Sequence, residues 1–259
     1  MHYVLQLLLL IVALTFPPSV QPQSTTTDTA REDDVRCLQG VKSSLGDPER
    51  RLASWTFSNT SAGAICSYPG VSCWNPEESR VFVLSLSGFG LTGSVPSEFR
   101  FCSAATILDL SSNMLEGQIP PQLCDWHPSL VALDLSGNRL SGRIPTELAN
   151  CKFLNSLNLS SNFLSGHIPA SLTLLDCLMF LNLSSNDLDG EIPPPLAATF
   201  SAYAFADNPD LVERPRSGFD LGVLFGRPEA AAAIAFVFGF VGTLFFGPSI
   251  IRRVAGRSC

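Results

Sequence analysis

Histidine is scarce in this 259-residue chain. Its three copies, His2, His127 and His167, lie far apart, so no pair has the spacing of a metal site. No serine, histidine and acid set stands out as a hydrolytic triad, because the serines belong to a repeated phrase. A glycine-rich phosphate loop and the H-R-D and D-F-G runs of a kinase are missing. Basic residues number 16 against 23 acidic ones, a net charge of -7, which argues against nucleic-acid binding. No block of like charge marks a disordered interaction tail. Nothing calls for a cofactor, and the chain reads as a non-enzyme.

Long apolar runs are confined to the two ends. Val4 to Leu14, followed by Pro17-Pro18, has the length of a signal-peptide core. A leader over residues 1–24 is expected, with cleavage somewhere in 20–30. Ala230 to Ile251 holds 22 residues without a charge. As a helix it would reach roughly 33 Å, enough for a bilayer core of about 30 Å. Arg252, Arg253 and Arg257 follow it and place the tail 252–259 in the cytoplasm. The expectation is a single-pass type I protein at the plasma membrane, with residues 25–229 outside the cell.

Between these ends one phrase recurs. It reads LDLSSNMLEGQIP from Leu108, LDLSGNRLSGRIP from Leu133, LNLSSNFLSGHIP from Leu157 and LNLSSNDLDGEIP from Leu181. A fifth copy, LSLSGFGLTGSVP from Leu84, has Phe89 in the asparagine position. The period of about 24 residues marks a leucine-rich repeat solenoid. Each Leu-x-Leu has the period of a strand with one buried face, so five strands from stacked coils form one short parallel sheet. Asn113, Asn138, Asn162 and Asn186 sit where the chain turns. A buried amide there must pair with backbone groups, because burial without partners is costly. Gly93, Gly117, Gly142, Gly166 and Gly190 let the backbone turn again. Ile119-Pro120 and its equivalents continue in extended form on the convex side.

The first coil needs a cover. Val35, Leu38, Val41 and Leu45 recur at helical spacing and Gly46-Asp47-Pro48 ends that helix. Residues 32–78 are therefore a helical N-terminal cap and 79–204 the five repeats. Cys66 and Cys73 flank Pro69-Gly70 and are placed to close a short disulfide loop outside the cell. Cys102 and Cys151 read as buried thiols filling coil interiors, with a Cys102–Cys124 bridge as the alternative. Cys37 has no evident partner.

The coils resemble the plant-specific class of extracellular leucine-rich repeats, L-x-x-L-x-L-x-x-N-x-L-x-G-x-I-P. EDDVRCLQGVKSSLGDP from Glu32, SW-x-F from Ser54 and GVSCWN from Gly70 resemble, more narrowly, the pseudokinase receptor regulators that interact with SERK-type co-receptors. That resemblance implies an ectodomain that associates with a co-receptor ectodomain and restrains signalling. It also implies a kinase-like domain after the span, where this sequence shows eight residues past Ile251. A kinase-less form and a truncated fragment of a longer receptor both remain open. So does a different role, inhibition of a secreted pathogen enzyme. At the C-terminal end the family's L-C-G is Leu211-Val212 here, so 205–229 reads as a degenerate cap and linker, frayed from Ala206.

Residues between the strand leucines face the concave side. Val83, Ile107, Ala132, Ser156 and Phe180 form one column. Ser85, Asp109, Asp134, Asn158 and Asn182 form the next. Within them Val83, Ser85, Ile107, Asp109 and Asp134, with Phe180 as an aromatic anchor, are the candidate contacts for a protein or peptide, through this face or a lateral edge. Phe82 and Phe89 are larger than a solvated surface requires, and packing against the cap is the expected role of Phe89. Glycosylation sequons occur at Asn59, Asn158 and Asn182.

Overall fold

The computed structural model describes residues 25–58, 63–75 and 80–212. The leader, Asn59, the linker beyond Val212, the apolar run Ala230 to Ile251 and the basic tail lie outside the described residues. Among the described residues no helix is long and apolar enough to cross a membrane.

The chain opens with helix α1, Thr25–Ser44. Cys37, Leu38 and Val41 are buried against the first coil, so the apolar stripe of this helix covers the open end of the repeat core. Beyond the helix, Gly46 and Thr92 exchange two backbone hydrogen bonds of 2.9 Å each, which joins the cap to the first coil. The Asp47 carboxylate then accepts the Arg51 and Leu52 N–H groups, both at 2.8 Å, and starts the next turn. Trp55 is buried and stacks on Tyr68 with ring centroids 5.8 Å apart. Its indole N–H donates to the Pro69 carbonyl. Cys66 and Cys73 are joined by a disulfide.

Two six-stranded sheets follow. The first contains β1 (Val71–Cys73), β2 (Val81–Ser85), β4 (Ile107–Asp109), β6 (Ala132–Asp134), β8 (Ser156–Asn158) and β10 (Phe180–Asn182). Only β1, from the cap, is antiparallel to its neighbour; the other pairs are parallel and in register. The second sheet corrects the single-sheet expectation. It contains β3 (Thr92–Gly93), β5 (Met114–Gly117), β7 (Arg139–Gly142), β9 (Phe163–His167), β11 (Asp187–Glu191) and β12 (Asp210–Val212). The glycine that the sequence suggests as a turn lies inside each of these strands except β12. Gly190 shows why a side chain is disfavoured there: its φ is +76°, which strains any residue with a Cβ, and a Cβ would sit 2.6 Å from the His167 ring of the preceding coil and force that exposed ring to move.

The core is a stack of leucines from both sheets. Leu84, Leu86, Leu108, Leu110, Leu133, Leu135, Leu157 and Leu159 are each 1% exposed or less. Burying one such side chain is worth about 1.5–3 kcal/mol, and only stacking makes that burial available. The asparagines bind the stack at every turn. Asn138 donates to the carbonyls of Leu110, Leu135 and Ser136 and accepts the Leu115 N–H at 3.0 Å. Asn113, Asn162 and Asn186 repeat this pattern. Asn208 continues it by accepting the Leu188 N–H and donating to Leu183, Phe205 and Ala206. Ala206 to Val212 is therefore not frayed: the amide closes the last coil, and β12 pairs with β11.

Two further disulfides overturn the reading of buried thiols. Cys37 pairs with Cys102, fastening α1 to the first coil, and Cys124 pairs with Cys151, joining neighbouring coils. The suggested Cys102–Cys124 bridge does not form. Cys102, His127, Cys151 and Leu175 each stand six residues before the first leucine of a phrase. His127 thus occupies a core position. It is 1% exposed, and neither ring nitrogen has a hydrogen-bond partner. Burial pushes its pKa down to about 4; the Cys102 carbonyl opposes this without meeting hydrogen-bond geometry.

Asp34 is the opposite case. It is 1% exposed, its carboxylate accepts the Val81 N–H at 3.1 Å, and Arg80 Nε lies 3.4 Å away. Desolvation outweighs both and, with a small contribution from Asp33, lifts the Asp34 pKa to about 7.

Two predictions follow from this frame. Asn138→Ala leaves the Leu115 N–H and three carbonyls without that partner, and should lower stability by about 2–3 kcal/mol in urea denaturation. The second concerns pH. Between about pH 4 and 7 the native Asp34 holds a proton that the unfolded chain releases, so its contribution is lost as pH rises. Between about pH 4 and 6.5 the unfolded chain protonates His127 and the native state does not, so that contribution is lost as pH falls. The two slopes oppose. Asp34→Asn should leave stability rising from pH 4.5 to 6.5, and His127→Leu should leave it falling over the same range, each by up to about 1.4 kcal/mol per pH unit. The double variant should be flatter than either, as read from thermal melts across the series.

Candidate functional site

The outward positions of the first sheet come into register as columns. Val83, Ile107, Ala132, Ser156 and Phe180 are paired successively, and Ser85, Asp109, Asp134, Asn158 and Asn182 likewise. In-register parallel pairing of strands that are alike in phrase and pleat makes this inevitable. Their exposure differs from simple alternation. Ser85, Ile107, Asp109 and Phe180 are half-buried, whereas Val83 and Asp134 are buried, at 9% and 6% exposure. Asp134 is therefore not a free surface acid.

Side-chain hydrogen bonds along the second column explain this. Ser85 Oγ donates to Asp109 at 2.9 Å, and Asp109 also accepts the Ser111 N–H and hydroxyl. Asp134 accepts the Ser136 N–H at 2.9 Å and its hydroxyl at 2.5 Å, and its second oxygen accepts Asn158 Nδ2 at 3.0 Å. Asn158 also donates to Ser136 Oγ and accepts the Ser160 N–H and hydroxyl. Burial raises the Asp134 pKa most; the bonds from Ser136 and Asn158 lower it, and Asp109 raises it further. The column breaks between Asp109 and Asp134, where two acceptors face each other with no donor between them. The two carboxyl groups lie near the middle of this surface, in the second and third coils.

The lateral edge is more apolar. Trp74 is 46% exposed and packs on half-buried Phe82 with ring centroids 4.1 Å apart. This pair lies at the edge of the first sheet, where the Trp74 N–H bonds the Arg80 carbonyl just before β2. Trp74 is a candidate contact residue with no signal in the repeat pattern, because it belongs to the cap. Phe89 packs partly buried against the core, on the side of the cap. At the other end Met179 and Tyr203 are exposed near Phe180. His167, Asp189 and Arg143 line a shallow hollow of about 260 Å³ on the second sheet, away from these columns. Among the described residues no cluster of histidine, cysteine and acid could hold a metal ion.

Comparison with known proteins adds identity to this geometry. Residues 31–74 match the leucine rich repeat N-terminal domain, and residues 105–126, 129–151, 153–175 and 177–198 match the leucine rich repeat. The chain is 57% identical over 126 residues to the inactive LRR receptor-like serine/threonine-protein kinase BIR2 of Arabidopsis thaliana. That match covers 49% of this chain and 21% of the relative. It is 55% identical over 130 residues to a probable inactive receptor kinase of the same plant, covering 50% and 22%. The chain thus spans about a fifth of the length of these relatives. Among solved structures, the BIR2 ectodomain from Arabidopsis thaliana is 48% identical with a TM-score of 0.69, covering 71% of this chain and 97% of that one. A chain of the Arabidopsis thaliana BIR3–SERK2 complex is 52% identical with a TM-score of 0.68, covering 70% and 96%.

Proposed function

Since the chain belongs to the family of plant leucine-rich repeat receptor-like proteins represented by the BIR2 ectodomain, we propose that it recognises another repeat ectodomain, of SERK type, at the cell surface. The observation that carries this is the likeness, at 52% identity and across 96% of the matched chain, to a chain of the BIR3–SERK2 complex, together with 48% identity to the BIR2 ectodomain. In this reading the partner meets the first sheet over its N-terminal coils and the adjoining lateral edge. Trp74 and Phe82 supply apolar contact, Ser85 and Ile107 the shallow surface beside them, and Asp109 a negative charge. Val83, largely buried in the same outward column as Ile107, fills that surface, and buried Asp134 holds it in shape.

The apolar run Ala230 to Ile251 spans the membrane in this proposal, with the repeats outside and Arg252 and Arg253 inside. With no catalytic group of its own on this surface, the protein acts by occupancy. A co-receptor held by this ectodomain is withheld from other receptors, which restrains their signalling.

The full chain, purified in detergent, should bind a SERK-type ectodomain in an interferometry assay. The double variant Ser85→Arg with Ile107→Arg adds bulk and charge at half-buried outward positions. It should weaken binding by about thirtyfold, or roughly 2 kcal/mol, with an unchanged melting temperature. Phe163→Ser, on the exposed edge of the second sheet, should leave binding as it was. No binding by the unaltered chain, or equal loss from both variants, would sink the proposal.

A further inference from the structure

We infer that Asn182 is the glycan-bearing asparagine of the first-sheet face, and that Asn158, its equivalent one coil earlier, stays bare. The inference rests on the reading that the repeats lie outside the cell. Both residues open a sequon, Asn158-Leu159-Ser160 and Asn182-Leu183-Ser184, and both project from the same column. Sequence gives them equal standing. The structure does not.

The atom that would carry sugar is the amide nitrogen. In Asn158 both of its hydrogens are in use, one toward Asp134 at 3.0 Å and one toward Ser136 Oγ at 3.1 Å. Modification replaces one hydrogen, so one of these acceptors must go unmet. Asp134 is buried at 6% exposure, and its second oxygen has Asn158 as its protein partner. In Asn182 the carbonyl oxygen accepts the Ser184 N–H at 3.1 Å, and among the described residues the amide nitrogen donates to nothing. Asn182 also ends the sheet. No strand follows β10 in its order, and the next coil presents the short turn Ala202–Phe205, where the equivalent backbone position is Ala204.

A second difference points the same way. Two residues earlier on the same face, Asn182 has half-buried Phe180, whereas Asn158 has buried Ser156. An aromatic ring offers the apolar face of a first sugar a surface to lie on; a buried serine offers none.

The chemistry is a group transfer from an oligosaccharide carried on a lipid diphosphate. A bond forms between Asn182 Nδ2 and the anomeric carbon, the carbon–oxygen bond to diphosphate breaks, the lipid diphosphate leaves, and the amide gives up one proton. Transfer meets the chain before it folds, so the hydrogen bonds select among the products. A chain modified at Asn158 folds with either the buried Asp134 carboxylate or Ser136 Oγ short of a donor, while one modified at Asn182 loses no such bond. Sugar at Asn182 then covers Phe180, which removes it as a protein contact, and leaves Ser85, Ile107 and Asp109 open.

The test is peptide mapping of the full chain expressed in plant cells and recovered from membranes, with each glycan site marked by enzymatic release in heavy-oxygen water. The Asn182 peptide should carry the mark and the Asn158 peptide should not. Asn182→Gln should lower the intact mass by one glycan with no change in melting temperature. Asn158→Gln should leave the glycan mass unchanged and lower the melting temperature. Occupancy of Asn158 equal to that of Asn182 would overturn the inference, as would a bare Asn182 in a chain whose repeats are cut by protease added to intact cells. Repeats shielded from that protease would instead sink the extracellular reading, and this inference with it.

Discussion

The asparagine amide at each turn is the constraint on which this molecule depends. A strand of three residues cannot hold itself, and a coil cannot bury its own leucines. The amide solves both problems with one side chain. Its oxygen takes the backbone N–H that opens the second strand of the preceding coil, and its nitrogen reaches the carbonyls of both coils. Turn, neighbour and register are fixed together. The αL residue just before each asparagine, Ser112, Gly137, Ser161, Ser185 and Asp207, belongs to the same device. A non-glycine residue there stores a small strain that the amide's bonds more than offset.

The first coil shows what happens when the constraint is lifted. No coil precedes it, so an amide at that position would have nothing to join. Phe89 stands there, partly buried against the core, and the cap is joined to the first coil instead by the two backbone bonds between Gly46 and Thr92. The Cys37–Cys102 disulfide adds a covalent tie at the same junction. Asp34 and Arg80 complete it on the first-sheet side. Trp74, exposed, and half-buried Phe82 are therefore mounted beside this braced junction.

Much of this was legible in the sequence because the physics repeats. The amide demands an asparagine at one spacing, and the half-buried strand demands Leu-x-Leu, so Leu108 to Leu183 announce both. The helix of the cap was legible from the spacing of Leu38, Val41 and Leu45. The second sheet was not, because its interior strands β5, β7, β9 and β11 carry one buried leucine each and a glycine, as Leu115 and Gly117 show. Cysteine pairing was hidden for another reason. Cys37 and Cys102 are 65 residues apart, and only the docking of α1 brings them together. Asp134 has the alternation of an outward residue, yet Ser136 and Asn158 fold over it. The C-terminal closure was obscured by a missing cysteine, when the working part was Asn208.

The interior coils make the same demands of one another. Asn162 asks of its predecessor the Leu140 N–H and the Leu135 carbonyl; Asn186 asks the same of Leu164 and Leu159. Each coil is therefore interchangeable with its neighbour as far as the backbone is concerned. Gene segments encoding 24 residues, cut between Asn162 and Asn186, could be duplicated or lost and the rejoined chain would still meet every rung. Such freedom ends at Phe89, which no interior coil could replace. Length in this architecture can drift by whole coils in the middle while its capped end stays constant, which is where a surface meant to persist through such drift would best be kept.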